Sequence, residues 1–310
     1  MRITLCSYHR LHPPTIFEFP TRVSLFDVRA SNSLVASILP PGLVAIFAGV
    51  AGGIAEATLK QFARHTVRPR IYYIGEFEEA SGRVAKDLKK INSEGEYMFV
   101  KADLTTVKTV DEVCKNIKAK EEAINLLFLS MGVTNSVEGY TQYIPAITSH
   151  TRACFFLHLL PLLQESPSFC RVVTVFHDTK TDAIATSDLQ SRNNPLRNHP
   201  ATFMTLPLAT EMAPRVSFVN CFLYRRKKEK EYDLSRIKKI ISLLLYKPIV
   251  KPGACFLFLA TSARYSAGVK GEMAGVPVDL VAAEIDRDLA TGVYSVKVIT
   301  DAESAKTRRT

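Results

Sequence analysis

The sequence has no hydrophobic run long enough to cross a membrane, and no cysteine pattern typical of a metal or disulfide site. The longest apolar stretch, residues 42–55, has 14 residues, whereas a membrane-spanning helix needs about 20. The six cysteines are scattered and include no Cys-x-x-Cys pair, which argues against a structural zinc site. Cysteines so placed are typical of small buried residues in a reducing compartment. We therefore expect a cytoplasmic protein without a metal.

Neither an internal repeat nor a break in composition divides the chain into separate units. With 310 residues and a hydrophobic fraction of 47%, the chain is long enough to bury a substantial core. Residues 1–21 contain one acid, three prolines and no clear period, so we interpret them as a disordered extension. We expect a single domain over residues 22–300 and a flexible tail over residues 301–310.

Acids are fewer than bases, 30 against 40, which gives a net charge of +10. Half of that excess lies in residues 225–239, where eight bases accompany three acids. A solvated helix face explains such a segment, and a patch that contacts nucleic acid or a membrane is the alternative. The segment lacks the interleaved aromatic residues of a single-strand binder, so we favour the first interpretation.

Apolar runs alternate with amphipathic segments from residue 43 onward. This alternation with short links predicts an α/β fold, a doubly wound parallel sheet of Rossmann type in one domain. The runs predict six strands, at residues 43–48, 70–74, 97–100, 124–129, 171–176 and 216–222, and a last edge strand at 293–299. The periodic segments predict helices at residues 54–65, 79–91, 106–120, 150–164, 233–245 and 253–265.

A glycine-rich turn lies between the first predicted strand and the first predicted helix. Gly49, Gly52 and Gly53 allow the backbone to turn sharply and to approach a ligand closely. The helix that starts at Ile54 then offers free N–H groups and a partial positive charge to a diphosphate. In this position the pattern predicts a nucleotide-binding loop, and a tight turn without a ligand is the alternative.

Two acids follow the second and third predicted strands, where the adenosine half of a dinucleotide binds in such folds. Glu76 comes 23 residues after Gly53, and its carboxylate would accept from a ribose 2′-hydroxyl and repel a 2′-phosphate. This residue therefore favours NAD over NADP. Asp103, which precedes Leu104, is placed to contact the adenine. The alternative for either acid is a cap on its own loop.

These motifs resemble those of the short-chain dehydrogenases/reductases over roughly residues 22–300. The loop of that family reads Thr-Gly-x-x-x-Gly-x-Gly; Gly49 and Gly53 match it, and alanines stand at the Thr and at the last Gly. Asp103-Leu104 matches the family's Asp-Leu pair after the third strand. Gly132 matches the glycine of the family's Asn-Asn-Ala-Gly after the fourth.

The resemblance implies a Rossmann-type domain that binds NAD or NADP and acts on a small-molecule substrate. The stretches at residues 40–49, 57–62 and 257–265 are similar to a divergent fungal branch of the family, whose members often belong to secondary-metabolite pathways. That branch commonly has Arg at the position of Glu76, which implies NADP where the residue itself favours NAD. The late helices often form oligomer contacts in this family, so an oligomer is compatible with the resemblance.

The family's catalytic Tyr and Lys, four residues apart on the helix after the fifth strand, have no match in residues 197–213. In that family the Lys acidifies the phenol, which exchanges a proton with the substrate oxygen. Tyr224 and Lys228 repeat the spacing after the sixth predicted strand, and His177 stands near the position of the family's serine. We name these three residues as candidate catalytic residues; a strand end and a solvated basic run are the structural alternatives.

Three hypotheses follow. The first is an NAD(P)-dependent oxidoreductase that acts on a hydroxyl or carbonyl group of a small molecule. The second is a relative that keeps the fold, and with it the nucleotide, but has lost turnover and serves as a binding or scaffold protein. The third makes residues 225–239 an electrostatic contact with a membrane or nucleic acid.

Overall fold

The computed structural model covers most of the predicted strands and helices. It describes residues 2–6, 23–50, 52–76, 78–131, 136–137, 140–141, 145–167, 169–177, 216–225, 250–265, 275–276 and 293–300.

A large sheet built from most of the strands forms the centre of the molecule. The strands are β1 (Arg2–Cys6), β2 (Val44–Ala48), β3 (Arg70–Gly75), β4 (Glu96–Lys101), β5 (Leu126–Leu129), β6 (Ser136–Val137), β7 (Tyr140–Thr141), β8 (Arg171–His177), β9 (Ser217–Arg225) and β10 (Val293–Thr300). Eight of them form this sheet in the order β1-β10-β9-β8-β5-β2-β3-β4, and β6 pairs with β7 separately. The central strands β2 and β5 are buried along their whole length, as their unbroken apolar sequences predict.

All strands of the large sheet except β1 run parallel to their neighbours. The order reverses at β2, because the chain first builds β3 and β4 on one side and then β5 and β8 on the other. This topology confirms the predicted Rossmann-type sheet. All six strands predicted between residues 43 and 222 are present, as β2, β3, β4, β5, β8 and β9.

The edge of the sheet differs from the sequence-based expectation. β10 was expected at the edge, but β1 pairs with it in antiparallel fashion, with Arg2 opposite Ile299. Residues 2–6 are therefore a strand, although residues 1–21 were expected to be disordered. An antiparallel edge strand supplied by a distant segment leaves no local signal of its partner in the sequence.

Helices cover both faces of the sheet. They are α1 (Leu25–Ser33), α2 (Val35–Ile38), α3 (Gly53–His65), α4 (Glu78–Ile91), α5 (Val107–Lys118), α6 (Pro145–Gln164) and α7 (Val250–Thr261), followed by a 3₁₀ turn at Ala263–Tyr265. α1, α3, α4 and α7 contribute to one apolar cluster, and α5 and α6 to a second one on the opposite face. Among the described residues no helix is long and apolar enough to cross a membrane. The helix predicted at residues 233–245 lies outside the described residues.

α3 and α7 pack against each other at very short range. A Cβ placed on Gly253 of α7 would lie 2.5 Å from the carbonyl oxygen of Ala57 in α3. α1 joins the same layer, because the buried side chain of Asn32 donates to the Ala254 carbonyl at 2.9 Å. The glycine thus sets the distance between the two helices on this face of the sheet.

Gly253→Ala is expected to lower the free energy of unfolding by about 1–3 kcal/mol, because the new methyl group meets backbone rather than a movable side chain. Thermal unfolding followed by circular dichroism measures the change. Gly82→Ala is the matched control: Gly82 is a helical glycine of α4 with open space around it, so alanine should stabilise the protein by about 0.5–1 kcal/mol. Equal unfolding temperatures for Gly253→Ala and the wild type would contradict this packing.

Candidate functional site

The loop after β2 lies between the carboxyl ends of β3 and β5, where the strand order reverses. The N–H groups of Gly49 and Val50 both donate to the Ile74 carbonyl of β3 at 3.0 Å. On the other side, the N–H of Ser130 after β5 donates to the Ala48 carbonyl at 3.0 Å. Ligands of open α/β sheets bind in the crevice at this kind of switch point.

Close backbone contacts on both sides of this loop require glycine. Gly49 has a φ of +87°, and a Cβ there would lie 2.7 Å from the Ser130 carbonyl oxygen. On the β3 side, a Cβ on Gly75 would lie 2.9 Å from the Val50 carbonyl oxygen. Gly49 therefore makes the sharp turn that the sequence predicts, and its close approach in the structure is to the Ser130 backbone. Gly75 is a second such position that sequence analysis did not name.

The start of α3 offers backbone donors that no cap uses. Gly52, with φ +116°, is the N-cap and makes no side-chain cap hydrogen bond, and Gly53 begins the helix with φ +64°. A Cβ on Gly53 would meet nothing within 4 Å. Ile54 is only partly buried and packs against the core. An uncapped helix start with its positive dipole end is suited to an anion.

An acid in the first turn of α3 is neutralised by bases from its own helix and from α4. Arg83 donates to both carboxylate oxygens of Glu56, at 2.7 and 2.8 Å. Lys60 donates to Glu56 at 2.8 Å and to Asp87 at 2.7 Å. Burial would raise the pKa of Glu56, but the hydrogen bonds from Arg83 and Lys60 outweigh it and hold that pKa below its usual value. Glu56 thus stays ionised with its charge compensated, and its repulsion of an anion at the helix start is reduced.

A cleft of about 420 Å³ opens beside the ends of β3 and β4, and its lining includes Glu76, Lys101, Asp103 and Thr105. Glu76 is exposed. The Asp103 carboxylate accepts from the backbone N–H of Thr105 at 2.8 Å and from its hydroxyl at 2.7 Å. Asp103 therefore caps its own loop, the alternative left open for it, and it also lies in the cleft predicted for the adenosine half. Leu104, beside it, is buried in the core.

A second Tyr and Lys four residues apart, Tyr97 and Lys101, lie on β4. Tyr97 donates to the Asn92 carbonyl at 2.8 Å, at the amino end of β4, whereas Lys101 ends that strand beside Glu78, at 3.3 Å. These two residues therefore form no dyad.

His177 is the last residue of β8 and is paired with Leu223 of β9. Tyr224, one residue further along β9, therefore lies at the carboxyl end of the neighbouring strand. The backbone thus places His177 and Tyr224 at the carboxyl ends of two adjacent strands. Gly132 and Lys228, like residues 226–249 of the basic segment and the whole of 197–213, lie outside the described residues.

One residue of this region was missed by sequence analysis. Arg152 of α6 is completely buried and donates to the carbonyls of Met131 and Val175, at 2.5 and 2.9 Å. The signal in the sequence is a single Arg in a helix that contains no Lys, Asp or Glu. Among the described residues no group of three or more His, Cys, Asp or Glu side chains is arranged to hold a metal.

The chain is similar to several fungal oxidoreductases, although no protein-family model matches it. It is 32% identical over 212 residues to oxidoreductase AN1596 of Emericella nidulans, which covers 64% of this chain and 62% of that protein, just under two thirds of its length. It is 30% identical over 260 residues to oxidoreductase andH of Emericella variicolor, covering 78% and 76%. The short-chain dehydrogenase/reductase SAT2 of Stachybotrys chartarum is 29% identical over 160 residues, 44% of this chain and 45% of that protein.

Solved structures share the fold at low sequence identity. L-sorbose reductase from Gluconobacter frateurii, solved with NADPH and L-sorbose, superposes with a TM-score of 0.52 at 15% identity, covering 87% of this chain and 99% of that one. YwfH, an NADPH-dependent reductase of bacilysin biosynthesis, superposes with a TM-score of 0.51 at 13% identity, covering 71% and 92%.

Gly49→Ala is expected to abolish nucleotide binding, because its methyl group would displace the loop from Ser130 in a backbone conformation that alanine avoids. Gly42→Ala is the matched control, since Gly42 also has a positive φ, +80°, and open surroundings but precedes β2, at the opposite end of that strand from the loop. We expect about 1–2 kcal/mol of destabilisation and unchanged nucleotide affinity. Quenching or enhancement of NADH fluorescence measures binding. Equal affinities for the two variants would show that the contact with Ser130 is not what shapes the loop.

Proposed function

We propose that this chain, which belongs to the short-chain dehydrogenase/reductase family, is an NAD(P)-dependent oxidoreductase acting on a hydroxyl or carbonyl group of a small molecule. The observation that carries the proposal is the glycine loop at the switch point. At Gly49 this loop has no room for a side chain, and it leads into a helix start that no side chain caps. These residues fit a dinucleotide, because its diphosphate needs close backbone approach and free N–H donors. The nicotinamide supplies the chemistry of adding or removing two electrons and a proton.

The residues of the site form two groups at the carboxyl ends of the parallel strands. The start of α3 would hold the diphosphate, and Glu76 and Asp103 in the cleft at β3 and β4 would hold the adenosine. The ends of β5, β8 and β9 are left for the nicotinamide and substrate. His177 and Tyr224 at those ends are the groups proposed to give a proton to the substrate oxygen or take one from it, with Lys228 as a third candidate.

For the cofactor we propose NAD rather than NADP. The Glu76 carboxylate is exposed at the cleft and would accept from a 2′-hydroxyl, whereas a 2′-phosphate beside it would meet like charge. The fungal branch that the sequence resembles commonly has Arg there, which supports NADP in those proteins. A role in fungal secondary metabolism and a cytoplasmic location belong to the same proposal; the latter is supported by the five cysteines whose side chains the structure describes, which are all free thiols.

NADH is expected to bind the wild type at least about tenfold more tightly than NADPH, and Glu76→Arg should reverse the order, because the guanidinium pairs with the 2′-phosphate. Fluorescence titration of both nucleotides measures the ratio. Glu94→Arg is the matched control, since Glu94 is an exposed acid that precedes β4, at the opposite end of that strand from the cleft; it should leave the ratio unchanged. Failure of the wild type to bind either nucleotide would refute the proposed function.

The second hypothesis, a binding protein without turnover, is favoured by the absence of Tyr and Lys from residues 197–213. A panel of carbonyl compounds assayed with NADH separates the two. Binding without turnover of any member supports the scaffold, and turnover supports the oxidoreductase.

Given turnover, His177→Asn or Tyr224→Phe is expected to lower kcat by about 100-fold or more, whichever residue exchanges the proton, because general acid–base catalysis contributes on that scale. NADH affinity should change little. Tyr97→Phe is the control, because its hydroxyl is bound to Asn92 at the opposite end of the sheet. Wild-type kcat in both test variants would exclude the two residues as proton donors.

A further inference from the structure

A buried arginine bridges two strands at the point where their pairing stops. β5 and β8 pair from Leu126↔Arg171 to Leu129↔Thr174, and the ladder ends there. Just beyond that last pair, Nη2 of Arg152 donates to the carbonyl of Met131 at 2.5 Å and to that of Val175 at 2.9 Å. Because both bonds go to one nitrogen, the two carbonyl oxygens are held side by side.

The bridged residues border the candidate site. Met131 directly precedes Gly132, and Val175 lies two residues before His177. The side chain of Arg152 has no exposed surface, so it acts from beneath the crevice and not as a group that meets the substrate. A guanidinium keeps its charge at every pH of interest, and its planar fork gives the hydrogen bonds a fixed direction.

We propose that Arg152 is a positioning residue that holds the ends of β5 and β8 at the spacing required by the nicotinamide half of the cofactor. The inference rests on the proposed function, since it assigns that half of the cofactor to these strand ends. Arg152 continues the connection between the strands where backbone pairing has stopped. The adenosine half is assigned to β3 and β4, and the Ser130 backbone beside the diphosphate loop is held separately, by the bond of its own N–H to the Ala48 carbonyl at 3.0 Å. Affinity for ADP therefore does not depend on this bridge.

The chain contains a matched residue for comparison. Arg171 is also completely buried, and its Nη1 donates to two carbonyls, those of Ser262 at 2.7 Å and Leu259 at 3.2 Å. It is the first residue of β8, whereas Val175 is near the end of that strand. The two arginines are therefore both buried and both donate to two carbonyls, but Arg152 acts at the carboxyl ends of the strands and Arg171 at the amino end of β8.

The test compares Arg152→Lys with Arg171→Lys in the full chain. For each variant, thermal unfolding gives the stability, and titrations give the affinities for NADH and for ADP, which lacks the nicotinamide half. We expect both variants to unfold at lower temperature than the wild type. Arg152→Lys should weaken NADH binding at least tenfold with ADP binding within twofold of the wild type, and Arg171→Lys should leave both affinities within twofold.

Hydrogen exchange read by mass spectrometry gives a second measurement that needs no cofactor. Arg152→Lys should speed exchange at the carboxyl ends of β5 and β8, in peptides that cover residues 126–131 and 174–177. Arg171→Lys should speed exchange in the same peptides to a smaller extent. If Arg152→Lys does not fold, Arg152→Gln replaces it. If neither folds while Arg171→Lys does, Arg152 is a requirement of the core and the inference is overturned.

Other results also separate the inference from the proposed function. Unchanged NADH affinity in Arg152→Lys, or equal losses for NADH and ADP, would overturn the positioning role while the proposed function stands. A wild type that binds neither NADH nor ADP would refute the proposed function, and with it the inference that rests on it. In that case a change in hydrogen exchange would show only that Arg152 stabilises the ends of β5 and β8.

Discussion

The passage of the backbone after β2 between the ends of β3 and β5 is the constraint on which the site depends. On one side a Cβ at Gly49 would lie 2.7 Å from Ser130, and on the other a Cβ at Gly75 would lie 2.9 Å from Val50. The loop is thus held by backbone on both sides, and its first two N–H groups are used by Ile74. The donors that remain are those at the start of α3, which no side chain caps.

Much of the sheet was predictable because burial on both faces imposes a simple pattern. A parallel strand covered by helices on each face needs apolar residues at nearly every position, and β2 and β5 have them without interruption. Helix α5 was equally clear, because its buried residues recur at three- and four-residue intervals (Val110, Val113, Cys114 and Ile117). The predicted bounds of these elements agree with the structure to within a few residues.

The elements that were missed depend on contacts between distant parts of the chain. β1 is defined by pairing with β10, almost the full length of the sequence away, and the composition of the longer segment that contains it, residues 1–21, favoured disorder. α1 was overlooked although it has a local signal, the capping box of Ser24 and Asp27, because its short sequence is weakly amphipathic. In the site, the glycines and acids were predicted from spacing, but the compensation of Glu56 by Arg83 of α4 requires the tertiary structure.

The register of β8 and β9 and the position of Arg152 together indicate where the substrate would bind. Register places His177 opposite Leu223, so Tyr224 lies one residue beyond His177, at the end of the neighbouring strand. Under the proposed function, the substrate oxygen would lie at the ends of these two strands, and the nicotinamide would lie beside them, at the ends of β5 and β8. That is where the backbone ladder has ended and where Arg152 continues it. A proton donor supplied from a strand end, in place of a Tyr on the following helix, would make the site more dependent on the spacing of the strand ends, because the donor then moves with the strand.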